Sequence, residues 1–205
     1  MNRIFQLKYV KACVQLGCAA VLSAIVVISP HLASAETPGD LSMPAEMAAK
    51  IMAPNAAEGA LDTPFFNAAK APLTLSSLKG RGLVVNFWAT WCAPCIREMP
   101  SIDRLAKALK GSGVEVIAIS EDRNAPKVVP PFLKAKGLDN LSLYYDVKGA
   151  LSRKLDINGL PSTILINADG VYLGRVTGTL EWDAEDVKAF LLQDLAPKAD
   201  PAPTN

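Results

Sequence analysis

The sequence predicts an α/β fold, a central mixed β-sheet with helices on both faces. Three observations carry that reading. Apolar runs of strand length alternate with stretches of helical period from residue 83 onwards. The strand–helix–strand spacing between residues 83 and 120 is that of a parallel, right-handed crossover. A hairpin signal and a capped helix then close the chain. At 205 residues the chain is long enough for one domain with a sizeable core.

Taken in order, the first 35 residues have the three parts of an export signal. Arg3, Lys8 and Lys11 make a basic start, Leu16 to Ile28 is almost wholly apolar, and Ala33-Ser34-Ala35 is a small-x-small cleavage pattern. The alternative is an uncleaved anchor, because the apolar stretch extends back to Ala12, close to the shortest length that crosses a bilayer. The segment is thus a signal peptide or a signal anchor, and either places the folded part outside the cytoplasm. Gln15 argues against lipid modification of Cys18, since that signal needs an apolar residue there. Residues 36–60 are rich in Ala, Pro and Met and read as a linker or loosely docked arm, with a helical turn around Ala45–Met52. The domain proper is expected over 61–195. The last ten residues, 196–205, hold three prolines and read as a disordered tail.

Leu83 to Trp88 reads as a strand buried on both faces, polar only at Asn86. A helix is predicted from about Pro94 to Leu109, with Met99, Ile102, Leu105, Ala106 and Leu109 on its inner face and a kink at Pro100. Val114–Ser120 is a second buried strand. A helix near Ala125–Ala135 and a short strand at Leu141–Tyr145 follow. Segments 162–167 and 171–176 flank Asp169-Gly170 as a hairpin. Asp183 reads as the N-cap of the last helix, with Asp186 completing a capping box and Trp182 and Val187 a hydrophobic staple.

Composition narrows the chemistry. A net charge of +1 provides no basic footprint, so no nucleic-acid partner is expected. Three of the 21 basic residues and none of the 20 acids lie in the export segment, so its removal leaves a charge near −2. The one histidine, His31, lies there too, as do Cys13 and Cys18. Histidine triads and imidazole metal sites are then excluded from the exported part. Cys92 and Cys95 remain, in a compartment where thiols oxidise.

The strongest local signal is Phe87-Trp88-Ala89-Thr90-Trp91-Cys92-Ala93-Pro94-Cys95. A buried strand runs out into a short loop, and Cys92 lands at the start of a helix. There, free backbone N–H groups and the helix dipole favour a thiolate. Two intervening residues bring the sulfurs within disulfide reach, and Pro94 is tolerated in the first turn. Cys92 is expected as the exposed attacking sulfur and Cys95 as the resolving one. A zinc site lacks ligands. Copper(I) binding by two thiolates and a local structural disulfide stay open, although so short a loop stabilises little. The second signal is Gly159-Leu160-Pro161-Ser162-Thr163 before a strand, where a proline is ordinarily a trans turn residue.

These residues, with Arg97-Glu98-Met99-Pro100, resemble the thioredoxin superfamily and within it the TlpA/ResA-like thiol-disulfide oxidoreductases, over roughly residues 63–195. The resemblance implies a thioredoxin fold in which Pro161 is cis beside the cysteines and the backbone of Leu160 pairs with substrate. It implies that residues from about 124 to 157 are an insertion. It further implies a periplasmic, soluble or inner-membrane-tethered dithiol reductase, with protein disulfide clients in cytochrome c maturation or copper-site assembly. A membrane electron donor would re-reduce the pair, and no organic cofactor or metal is implied. A dithiol oxidase or isomerase and a copper(I)-binding chaperone are the alternatives. One departure stands out: Asn86 occupies the place of the buried aspartate of thioredoxin itself. Proton transfer from Cys95 then needs another group, and Glu98, Glu121 and Asp122 are the candidate relays. Trp91 is expected to shield the disulfide, and Phe87 and Trp88 to belong to the core.

Overall fold

A computed structural model describes residues 42–198. The export segment, with His31, Cys13 and Cys18, lies outside these residues, as does the tail from residue 199. Among the described residues, no helix is long and apolar enough to cross a membrane.

A helical turn, α1 (Ala45–Ala48), leads to the short strand β1 (Ile51–Met52). The hairpin β2 (Phe65–Asn67) and β3 (Pro72–Leu73) follows. Then come β4 (Gly82–Trp88), α2 (Ala93–Ala108), β5 (Val114–Ser120) and α3 (Ala125–Lys136). The chain closes with β6 (Tyr144–Tyr145), α4 (Ala150–Lys154), β7 (Ser162–Ile166), β8 (Tyr172–Thr177) and α5 (Glu185–Leu195). The eight strands form one mixed sheet in the order β1-β8-β7-β4-β5-β6-β2-β3. β4 and β5 are parallel, as the crossover through α2 requires, and β7 runs antiparallel on the other side of β4.

Every residue of β4 is buried, because this strand lies near the middle of the sheet with packing on both faces. Its side chains alternate between two cores. Val84 and Trp88 pack with α2, α3 and α5 on one face. Leu83, Val85 and Phe87 pack with α4 and the turns around Ala60 and Leu75 on the other. By the same two-residue period Asn86 faces α2. Met99, Ile102, Leu105 and Leu109 of the α2 segment are buried as their spacing predicts, and the helix continues through Pro100.

The structure departs from the sequence-based expectations in four places. The segment read as an arm is built into the domain: Met47 is fully buried and β1 pairs with β8 at the sheet edge. The hairpin β2–β3 and helix α4 were not expected; both are too short to carry a visible hydrophobic period. The strand expected at 141–145 is confined to Tyr144–Tyr145. Asp183 is not the N-cap of the last helix. Ala184 holds that position without a side-chain cap, because the Asp183 carboxylate instead accepts from Arg104 of α2. Asp186 bonds the adjacent Val187 N–H rather than closing a box.

Candidate active site

The site is built at the C-terminal end of β4. After Trp88 the chain turns through Ala89–Trp91, and this loop is pinned from β5. Asp122 accepts from the Thr90 backbone N–H at 2.9 Å, from the Thr90 hydroxyl at 2.7 Å and from Ser120 Oγ at 2.9 Å. These bonds engage both Asp122 carboxyl oxygens, which makes Asp122 a clamp on the loop. The Glu121 N–H donates to the Trp88 carbonyl at 2.8 Å and ties the ends of β4 and β5 together.

Cys92 is the N-cap of α2, and its sulfur accepts from the Cys95 N–H at 3.3 Å. Here the unpaired N–H groups of the first turn meet sulfur in place of the oxygen of a usual cap. Cys92 and Cys95 are joined by a disulfide, with Cα atoms 5.3 Å apart. Their accessibility differs. Cys95 is wholly buried, whereas Cys92 is 6% exposed, less than the sequence reading expected, and lines an open cleft of about 600 Å³. Trp91, Pro94 and Leu160 also border this cleft. Trp91 is 69% exposed, so it stands at the rim with most of its surface in solvent, and Phe87 and Trp88 are core residues. The Leu160–Pro161 peptide bond is cis. Pro161 is buried, and its carbonyl accepts from Gly178 N–H at 3.0 Å.

The candidate acids lie in separate surroundings. Glu98 is one turn after Cys95 on α2 and almost completely buried. Its Oε1 accepts from Asn86 Nδ2 at 2.9 Å, and its Oε2 from Leu180 N–H at 3.3 Å and Trp182 Nε1 at 3.2 Å. Burial pushes the Glu98 carboxyl up to about 7, against these hydrogen bonds, which favour the ionised form. Asn86 Nδ2 also donates to Thr163 Oγ1 at 3.0 Å, leaving Asn86 Oδ1 buried without a partner. Glu121 is elsewhere, in the wall of the cleft with Cys92. Its carboxyl is pushed up to about 8, first by burial and then by the neighbouring Asp146 carboxylate.

Sequence reading missed three participants. Trp182 was read only as a staple, yet its indole N–H reaches Glu98. Ser152 and Ile157 also line the cleft, and nothing in their local sequence distinguishes them. Among the described residues no cluster of His, Cys, Asp or Glu is arranged to hold a metal ion.

Comparison with known proteins places this arrangement. The family model described as Redoxin matches residues 51–191, most of the chain. The chain belongs to the Redoxin family. Within the thioredoxin superfamily, this Redoxin is 37% identical over 108 residues to the thiol-disulfide oxidoreductase ResA of Bacillus subtilis, covering 53% of this chain and 59% of that protein. It is 35% identical over 118 residues to ResA of Geobacillus kaustophilus, covering 57% and 65%. The matched part spans less than two thirds of these relatives' length. Among solved structures, a protein of Chlorobium tepidum assigned as thiol:disulfide interchange protein DsbE superimposes with a TM-score of 0.59 at 24% identity, covering 71% of this chain and 99% of that one. A secreted disulfide oxidoreductase of Mycobacterium tuberculosis gives 0.53 at 22%, covering 67% and 98%. These two likenesses are in the fold, which is the thioredoxin-like α/β architecture expected from the sequence.

Proposed function

We propose that this Redoxin is a thiol-disulfide oxidoreductase acting outside the cytoplasm, as a dithiol reductase of protein clients in cytochrome c maturation or copper-site assembly. One observation carries the reading: the two cysteines form a disulfide at a helix start, and only Cys92 opens onto a cleft. The ResA relatives are named thiol-disulfide oxidoreductases, which supports the broad activity.

In the reduced protein the Cys92 thiolate attacks one sulfur of a client disulfide, and the second client sulfur leaves. Cys95 then gives up its proton and attacks Cys92 in the mixed disulfide. The client departs with both cysteines reduced, and the Cys92–Cys95 bond holds the two electrons' worth of oxidation. Glu98, one turn below Cys95 and raised towards neutrality, is the group assigned to take the Cys95 proton. Leu160 and Pro161 present the backbone edge along which the client lies. A membrane electron donor restores the dithiol, and the N-terminal segment delivers or tethers the domain at the inner membrane.

The test is capture with Cys95→Ser, which leaves Cys92 to form a mixed disulfide that cannot resolve. Client proteins bound through Cys92 are expected; recovery of none in the cell envelope would overturn the proposal. The reduction potential sets the direction, with a value near that of thioredoxin (about −270 mV) expected and one near DsbA (about −120 mV) marking an oxidase instead.

A further inference from the structure

Cys92 and Cys95 have different proton problems, and the structure holds a raised carboxyl near each. Glu98 serves the buried side, on α2 with Cys95. Glu121 lies in the wall of the cleft onto which Cys92 opens. The reaction scheme above gives it no task.

Its setting is specific. Glu121 follows β5 directly and is fixed by its backbone bond to Trp88, so the position of its side chain is coupled to the cysteine loop. Ser152, which also lines the cleft, donates to Glu121 Oε2 at 3.2 Å. Glu121 Oε1 is buried and receives no donor. The charged groups facing Glu121 are Asp146 from the loop after β6, in hydrogen-bond contact with it, and Arg153 of α4. Asp146 is itself held by α4, accepting from the Ala150 N–H at 2.8 Å and the Ser152 N–H at 2.9 Å. Burial raises the Glu121 carboxyl first, and the adjacent Asp146 raises it further, to about 8. Glu121 therefore carries a proton at neutral pH while bordering the space a client must enter.

We propose that Glu121 is a catalytic acid that protonates the client sulfur expelled by Cys92. The inference rests on the thiol-disulfide reading above. Cys92 sulfur bonds to one client sulfur, the client S–S bond breaks, and its electron pair passes to the second client sulfur. That thiolate takes the proton of Glu121, and the carboxylate left behind is reprotonated by water through the open cleft. No other reactant is needed. A free cysteine thiol titrates at about 8.5, so transfer from an acid raised to about 8 is close to balanced, the condition under which general-acid catalysis is effective.

The experiment uses the reduced full chain in single turnover with two disulfides. Oxidised glutathione expels an aliphatic thiolate that needs a proton, whereas dithiobis(nitrobenzoate) expels an aromatic thiolate that is stable without one. The ratio of the two rate constants cancels the ionisation of Cys92. In the wild type the glutathione-to-aromatic ratio is expected to hold steady to about pH 7 and to fall as pH passes through about 8. At about pH 6.5, where both side chains are uncharged, Glu121→Gln is expected to lower the ratio about tenfold or more, and its ratio no longer varies with pH. A wild-type ratio that does not vary with pH, which needs no variant to fold, would overturn the inference, as would equal loss on both disulfides in Glu121→Gln. Wild-type protein that reduces neither disulfide would overturn the underlying thiol-disulfide reading instead.

Discussion

Replacing Glu98 with glutamine is expected to change how stability depends on pH. The Glu98 carboxyl titrates near 4.5 when solvated and near 7 in the folded protein. Between those values the native state binds the proton that the unfolded state has released, so stability is greatest at low pH and falls as pH rises through the window. A shift of that size corresponds to about 3 kcal/mol in full, most of which falls between about pH 5 and about pH 8. Glutamine cannot titrate. It can still accept from Trp182 and Leu180 through its oxygen while its amide faces Asn86, whose own amide can turn its unpartnered Oδ1 towards it. The stability of Glu98→Gln relative to wild type is therefore expected to rise by roughly 2 to 3 kcal/mol between about pH 5 and about pH 8. Urea denaturation of the oxidised proteins measures this without interference from the cysteines, which do not titrate while joined. Taking the difference between the two proteins removes the parallel contribution of Glu121. A difference that stays flat across the range would show that Glu98 is ionised throughout, and would refute the burial argument.

Asp122→Ala removes the acceptor of the Thr90 N–H and hydroxyl, and is expected to cost about 3 kcal/mol in denaturant unfolding while loosening the cysteine loop. Met47→Ala is expected to cost about 2–5 kcal/mol, the range for emptying a fully buried site; a change near zero would mean that the segment before β1 is not part of the cooperative unit. Gly82→Ala would place a Cβ 2.6 Å from Leu195 Cβ, and a loss of roughly 1–3 kcal/mol is expected from the thermal midpoint as α5 is pushed off β4.

The parts of the fold that were legible are those written in contiguous sequence. Leu83–Trp88 is an apolar run with no room for another element, and Met99, Ile102 and Leu105 recur at helical spacing. The cysteine pair between them was legible for the same reason. What was hidden depends on partners far along the chain. Asp183 has the composition of a cap, but a guanidinium from α2 competes for it, and a charge-assisted fork outweighs a local backbone bond. Glu98 could be placed on the Cys95 face by counting one turn, yet its burial depends on Trp182 and Leu180, more than 80 residues later. Part of the cleft lining comes from α4 and the segment leading to Pro161, where strand order rather than local pattern decides proximity.

Asn86 shows how local reading and long-range packing combine. Read alone, asparagine in place of an acid removes a proton acceptor from the strand below the cysteines. In the structure its amide lies 2.9 Å from the Glu98 carboxyl, so the acid is kept but borne by α2. The exchange has a physical reason. An aspartate at 86 would face Glu98 across the same gap, and two carboxyls in so dry a place cannot both ionise. With an amide there, Glu98 is the one titrating group in that contact, and its raised affinity for a proton comes from burial rather than from a second charge. Glu121 is raised first by burial as well, but a neighbouring acid, Asp146, adds to the shift at the edge of an open cleft. Both acids thus respond to burial, Glu98 to packing around α2 and Glu121 to packing around α4 together with the acid beside it. Substitutions that alter either environment are expected to move one without moving the other.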